Sequence, residues 1–242
     1  MRSFQRSVDV TNDILTRDQC LVPEHVKRVT ELVHTGRDNE RDAIGVHGTS
    51  LAALVIAMKT GCIPAGRSPQ CEGHLYFFPL SHASVTQEGL TPLAAEPTEH
   101  DRMALDEASG YAHDRTREAL AAKELGLDML SEVGWRLVTN LSEIVEGQDI
   151  EGAELLEKQD ISERQALQLT RQLEKIHRGF VLYIGKSALE ECAHALGDPG
   201  YGDLKLKVPA EGLDLKHLVG IEPLADADFD TIAKLEDGLS KR

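Results

Sequence analysis

The residue types best suited to chemistry stand in one short run, Gly45-Val46-His47-Gly48-Thr49-Ser50. A glycine at the end of an apolar strand lets a ligand approach the backbone. The imidazole of His47 can hydrogen-bond a ligand hydroxyl, and Thr49 and Ser50 add two hydroxyls of their own. Tyr76 follows 29 residues later, within Gly73-His74-Leu75-Tyr76-Phe77-Phe78. Its ring can stack on a planar ligand and exclude water. Late in the chain Asp203 opens the alternation Leu204-Lys205-Leu206-Lys207-Val208, which puts a carboxylate at a strand start. Each residue has a plain structural alternative. His47 can be a strand-end histidine held by a neighbouring backbone group, Tyr76 a core tyrosine with its hydroxyl satisfied, and Asp203 a turn residue.

The elements that must position these groups are legible in the periodicity. Pro23 to Thr35 reads as a helix, with proline in its first turn, Val26, Val29 and Val33 on one face and Gly36 as its stop. Ala43 to His47 reads as a buried strand. Ser50 to Thr60 reads as a helix on the spacing of Leu51, Leu54, Val55 and Met58, ended by Gly61. His74 to Phe78 is a second strand closed by Pro79. Leu80 to Glu99 is polar and reads as a long loop. His100 to Leu125 reads as a long helix, Asp128 to Ile144 as another weakened by Gly134, and Gly147 to Asp160 stays ambiguous. Ser162 to His177 is a helix opened by a Ser162/Gln165 capping box. Gly179 to Ile184 is an apolar strand, and Ser187 to Leu196 a short helix with a Ser187/Glu190 box. Gly197-Asp198-Pro199-Gly200 is a turn. Asp203 to Val208 and Lys216 to Ile221 are strands, and Asp228 to Leu239 a terminal helix.

In this order the chain resembles the ADP-ribosyltransferase superfamily, the group of diphtheria-toxin-like enzymes and poly(ADP-ribose) polymerases. The resemblance rests on His47-Gly48-Thr49, then a helix, then Gly73-His74-Leu75-Tyr76-Phe77 against the family's Gly-x-x-Tyr-Phe. Ala108-Ser109-Gly110-Tyr111-Ala112 is similar to the helix that follows the tyrosine strand in related domains. Gly202-Asp203-Leu204 and Leu215-Lys216-His217-Leu218 resemble the late strands. It covers about 43–78 and 179–222. It implies an α+β fold with a split β-sheet core and a mostly helical insertion at about 113–178, within a domain of 43–242 preceded by an N-terminal helical extension, 1–42.

The resemblance also implies chemistry. NAD would be the substrate, held by His47, Gly48, Thr49 and Ser50, with Tyr76 stacked on its nicotinamide. His47, Tyr76 and Asp203 would be the catalytic set. The family's third residue is usually glutamate, which hydrogen-bonds the ribose 2′-hydroxyl and stabilises the cationic sugar as the glycosidic bond breaks. Asp203 is one methylene shorter, and Glu211 and Glu222 are alternative acids. If Leu204 held that position instead, the domain would resemble the RNA 2′-phosphotransferases. A non-catalytic NAD- or partner-binding module is the third reading.

Composition narrows the partners. A net charge of −15 repels phosphate backbones and anionic lipid heads, so nucleic acid and membrane are disfavoured as partners, and a protein or small-molecule acceptor for ADP-ribose comes first. Cys20, Cys62, Cys71 and Cys192 are too scattered for a disulfide framework, and Cys71 with His74 lacks a second pair for zinc, so no metal is expected. The N-terminus lacks an apolar signal core, which favours a cytoplasmic, reducing location, with export by another route left open. Gly185-Lys186-Ser187 is not a phosphate loop, because position 180, where the first glycine belongs, is Phe180 in an apolar strand.

Overall fold

The computed structural model describes residues 21–65, 73–80, 84–86, 89–91, 98–128, 131–196, 204–209 and 211–240. Helices and an antiparallel sheet share the chain. The elements are α1 (Pro23–Thr35), β1 (Ala43–Thr49), α2 (Leu51–Thr60), β2 (Cys62–Ile63), β3 (His74–Pro79), β4 (Ser84–Thr86), β5 (Gly89–Thr91) and α3 (Glu99–Leu125). The middle is helical, with α4 (Glu132–Thr139), α5 (Leu141–Val145), α6 (Ile150–Lys158) and α7 (Glu163–Leu173). The last part holds β6 (Phe180–Gly185), α8 (Ser187–Glu191), β7 (Ala193–Leu196), β8 (Leu204–Lys207), β9 (Leu213–Asp214), β10 (Leu218–Pro223) and α9 (Asp226–Ser240). Six strands form one sheet in the order β10-β6-β1-β3-β8-β7, every pair antiparallel.

Strand β6 shows why the sheet has two covered faces. All of Phe180 to Gly185 is buried. Phe180, Leu182 and Ile184 belong to one large core, while Val181 and Tyr183 belong to a smaller core on the other side. A strand buried on both faces needs a continuous apolar run, not alternation, and the sequence supplies one. The large core also takes Val26, Val29, Leu32 and Val33 of α1, and Leu51, Leu54, Val55 and Met58 of α2. Each such side chain contributes about 1.5–3 kcal/mol relative to exposure. Helix α1 therefore packs into the same core as β6 and α2.

Helix α3 joins the two cores. Ala104 and Ala108 fill the small core, whereas Leu120, Ala121 and Ala122 sit in the large one with α4 to α7. Its start is fixed by a capping box, in which the Thr98 amide donates to Asp101 Oδ2 over 2.6 Å. The helix thus runs along one face of the sheet, passes the sheet's end and carries the helical half. A boundary for an insertion at residue 113 falls inside it.

Several expectations shift. The stretch 80–99, read as a loop, contains the hairpin β4–β5. The segment 128–144 is two helices, broken at Asn140. The ambiguous 147–160 forms α6, capped by Asp149, which accepts from the Gly152 amide over 2.8 Å. Residues 187–196 are not one helix. Helix α8 ends at Glu191, and β7 pairs with β8. Ala193 to Leu196 has no strong preference for either period, and the free edge of β8 decides for the strand. The capping box expected at Ser187 is absent, since Lys186 is the N-cap and no side chain caps it. The turn at 197–200 and Asp203 lie outside the described residues.

Candidate functional site

The sheet has a seam. Strand β1 pairs with β6 along its whole length, from Ala43 opposite Gly185 to Thr49 opposite Phe180. Against β3 it pairs only at Gly45 with Pro79 and Val46 with Phe78. Beyond that point β3 continues its ladder with β8, with Tyr76 opposite Lys205, and β1 and β3 part. His47 stands at the opening. Its Nδ1 lies 2.6 Å from the Tyr76 carbonyl oxygen and takes the place of a ladder bond.

That contact fixes the state of the ring. A carbonyl oxygen only accepts, so Nδ1 carries the hydrogen. Desolvation pushes the imidazole down to about 4, opposed by the Tyr76 carbonyl and reinforced by the cation of Arg115. At neutral pH the ring is uncharged and Nε2 presents a bare lone pair. Among the described residues that nitrogen has no partner. The structural alternative for His47, a backbone partner at a strand end, accounts for one nitrogen and leaves the other available.

The two rings leave the seam on opposite sides. Leu75 and Phe77 point into the large core, so Tyr76 and Phe78 point toward α3. His47 shares its register row with Leu182 and therefore its face with the large core. Imidazole and phenol are joined through the Tyr76 backbone and do not stack on each other.

On the α3 side the packing is very close. A Cβ on Gly48 would lie 1.9 Å from the Ala108 carbonyl oxygen and 2.6 Å from the Ala112 nitrogen. Gly48 is therefore demanded by the helix, whatever a ligand requires. Tyr111, 46 % exposed, leans on Phe78 with ring centroids 5.6 Å apart. The side of the seam beside Gly48 thus carries three aromatic rings, those of Tyr76, Phe78 and Tyr111. Thr49 is buried, and Ser50 caps α2 by accepting from the Ala53 amide over 3.4 Å, so each of these hydroxyl residues has a structural place.

Searches against protein families, curated proteins and solved structures match nothing to this chain.

The alternative acids are drawn elsewhere. Glu211 is exposed near Cys62, beyond the far end of α2, about 15 Å along that helix from the seam. Glu222 sits on β10, where Tyr183 donates its hydroxyl to Oε2 over 2.6 Å and Arg37 pairs with the other oxygen. Burial, with that carboxylate, holds the Tyr183 phenol far above its ordinary range. The motif reading missed another carboxylate, Glu118 on α3, 2.7 Å from Arg115. The signal was present in the spacing, because Tyr111, Arg115 and Glu118 recur at intervals of four and three along one flank of a helix. Among the described residues no group of His, Cys, Asp and Glu could hold a metal ion, and no helix is long and apolar enough to cross a membrane.

Proposed function

We propose that the protein is an NAD-dependent ADP-ribosyltransferase whose substrate occupies the seam between β1 and β3, in a split-sheet core of the ADP-ribosyltransferase type. The observation that carries this reading is the neutral, tautomer-fixed His47, whose Nε2 has no partner among the described residues, at a seam whose other face carries the aromatic group. A ribose hydroxyl is the donor such a lone pair suits. A nicotinamide ring is the planar partner for Tyr76 and Tyr111. Because the rings face opposite sides of the sheet, the ligand would pass through the opening, with its base on the α3 side and a ribose at His47.

The reaction needs little acid–base work. The bond between nicotinamide nitrogen and ribose C1′ breaks, its electron pair leaves with nicotinamide, and the acceptor nucleophile attacks C1′ and loses its proton to solvent. Positioning and electrostatics dominate such a barrier. Asp203 is the acid proposed to stabilise the cationic ribose, and a protein or a small molecule the acceptor.

The test is nicotinamide release from NAD, with water and a protein mixture offered as acceptors. Release by the native chain that falls at least about a hundredfold in His47→Ala and Tyr76→Ala supports the reading. NAD binding by calorimetry without release would assign the chain to the non-catalytic module instead. Neither binding nor release would refute both.

A further inference from the structure

Helix α3 has two flanks that can be told apart. Ala112 meets Gly179 at the start of β6, where a Cβ on that glycine would lie 2.7 Å from the Ala112 carbonyl oxygen. Tyr111 meets Phe78 of β3. The flank carrying Tyr111 therefore faces the β1–β3 seam. Arg115 lies one turn further along that flank, seven residues beyond the Ala108 that touches Gly48. It stands where the helix passes the sheet's end, close enough for its charge to act on His47.

Arg115 is held but not used up. Its Nη1 donates to Glu118 Oε2 over 2.7 Å, and among the described residues this is its one hydrogen bond. The guanidinium side chain is 39 % exposed and the Glu118 carboxylate 9 %. An exposed ion pair stabilises a protein little. Here the carboxylate is buried, at a cost that raises its carboxyl above the ordinary range even beside a cation. That arrangement holds a partly exposed guanidinium whose remaining N–H groups have no partner among the described residues, in a form suited to a phosphate oxygen pair. On a chain with net charge −15, a dianionic ligand entering the seam needs such a local cation.

We infer that Arg115, positioned by Glu118, binds the pyrophosphate of the nucleotide in the seam, so that the site selects a phosphorylated nucleotide over the matching nucleoside. This rests on the nucleotide reading of the seam given above.

The experiment titrates NAD, nicotinamide riboside and ADP into the native chain, Arg115→Gln, the double variant Arg115→Gln/Glu118→Gln, and His47→Ala. The double variant avoids leaving Glu118 buried without its partner, and thermal unfolding confirms that each variant is folded. The native chain should bind NAD about ten- to a hundredfold tighter than nicotinamide riboside. Both Arg115 variants should erase that preference and ADP binding while riboside binding holds. His47→Ala should weaken NAD and riboside alike. Equal loss of NAD and riboside binding in the Arg115 variants, or no loss at all, overturns the inference and leaves the transferase reading standing. Arg115-dependent ADP binding without nicotinamide release keeps this inference and removes the transferase reading. A native chain that binds neither NAD nor ADP overturns both.

Discussion

The two halves of the sheet are built by different rules. In the half formed by β10, β6 and β1 the ladders run the length of the strands, and both faces of the central strand β6 are sealed. Its inner face rests on α1 and α2, its outer face on α3 at backbone distance. At the other side of β1 the ladder to β3 stops after Val46 opposite Phe78, and a side chain, His47, bridges the gap. One half concentrates burial. The seam gives up ladder bonds between β1 and β3 and gains a neutral nitrogen, aromatic rings and a guanidinium. Stability and chemistry are thus separated by a single strand, and substitutions on the two sides of β1 should read out differently.

The largest effect is expected in the sealed half. Gly48→Val would drive its side chain into the Ala108 carbonyl, and helix α3 must lift or the chain fails to fold. A loss of about 4 kcal/mol or more, read by denaturant unfolding, would place this site among the severe core mutations. A milder outcome would mean that α3 is not seated on β1. Next comes Asp228→Ala. Asp228 accepts from Arg178 Nε over 2.7 Å and from the Gly179 amide over 3.0 Å, tying α9 to the start of β6. Its removal leaves the buried Gly179 amide without its acceptor and the half-buried Arg178 without its counter-charge, with a cost of about 2–4 kcal/mol expected in the same measurement.

On the seam side the balance should invert. His47→Gln is expected to cost only about 1 kcal/mol of stability, the worth of one hydrogen bond, while weakening NAD binding about tenfold or more. Calorimetry and unfolding on the same sample check this, and a variant that loses stability but not affinity would erase the distinction between the halves.

A pH series sharpens it further. His47 is held down to about 4 in the folded chain against an ordinary 6.5. Between those values the unfolded state binds the proton that the folded state refuses, so stability is fully present above pH 6.5 and falls as pH drops toward 4. The loss would be about 1–3 kcal/mol, absent in His47→Gln. His47 contributes no pH dependence to NAD affinity between pH 6 and 8, because its imidazole stays neutral across that window. The smallest effect is expected far from both regions. Arg171→Gln on the exposed face of α7 should change unfolding by less than about 0.5 kcal/mol.

Much of the fold could be read residue by residue. Pro23 and Gly36 bound α1 as expected, Ser50 caps α2 and Gly61 ends it in a left-handed conformation, and the Ser162/Gln165 box opens α7. These signals are local, acting within one turn of the residue that carries them. Strand β7 was missed for the complementary reason. Its Ala193–Leu196 backbone has no strong local preference and becomes a strand only because β8 offers an unpaired edge. The break at Asn140 was missed because the apolar spacing of Leu137, Leu141 and Ile144 runs straight across it.

What the sequence determined alone is the set of elements with their caps and stops, and the candidate identities of His47 and Tyr76, because periodicity and capping depend on neighbours a few residues away. What only the tertiary structure decided is which groups meet. The seam, the tautomer of His47, the opposite facing of the two rings and the approach of Arg115 all arise from contacts between strands and a helix distant in the chain. Register and packing set those contacts, and no short-range pattern encodes where a ladder between two strands will end.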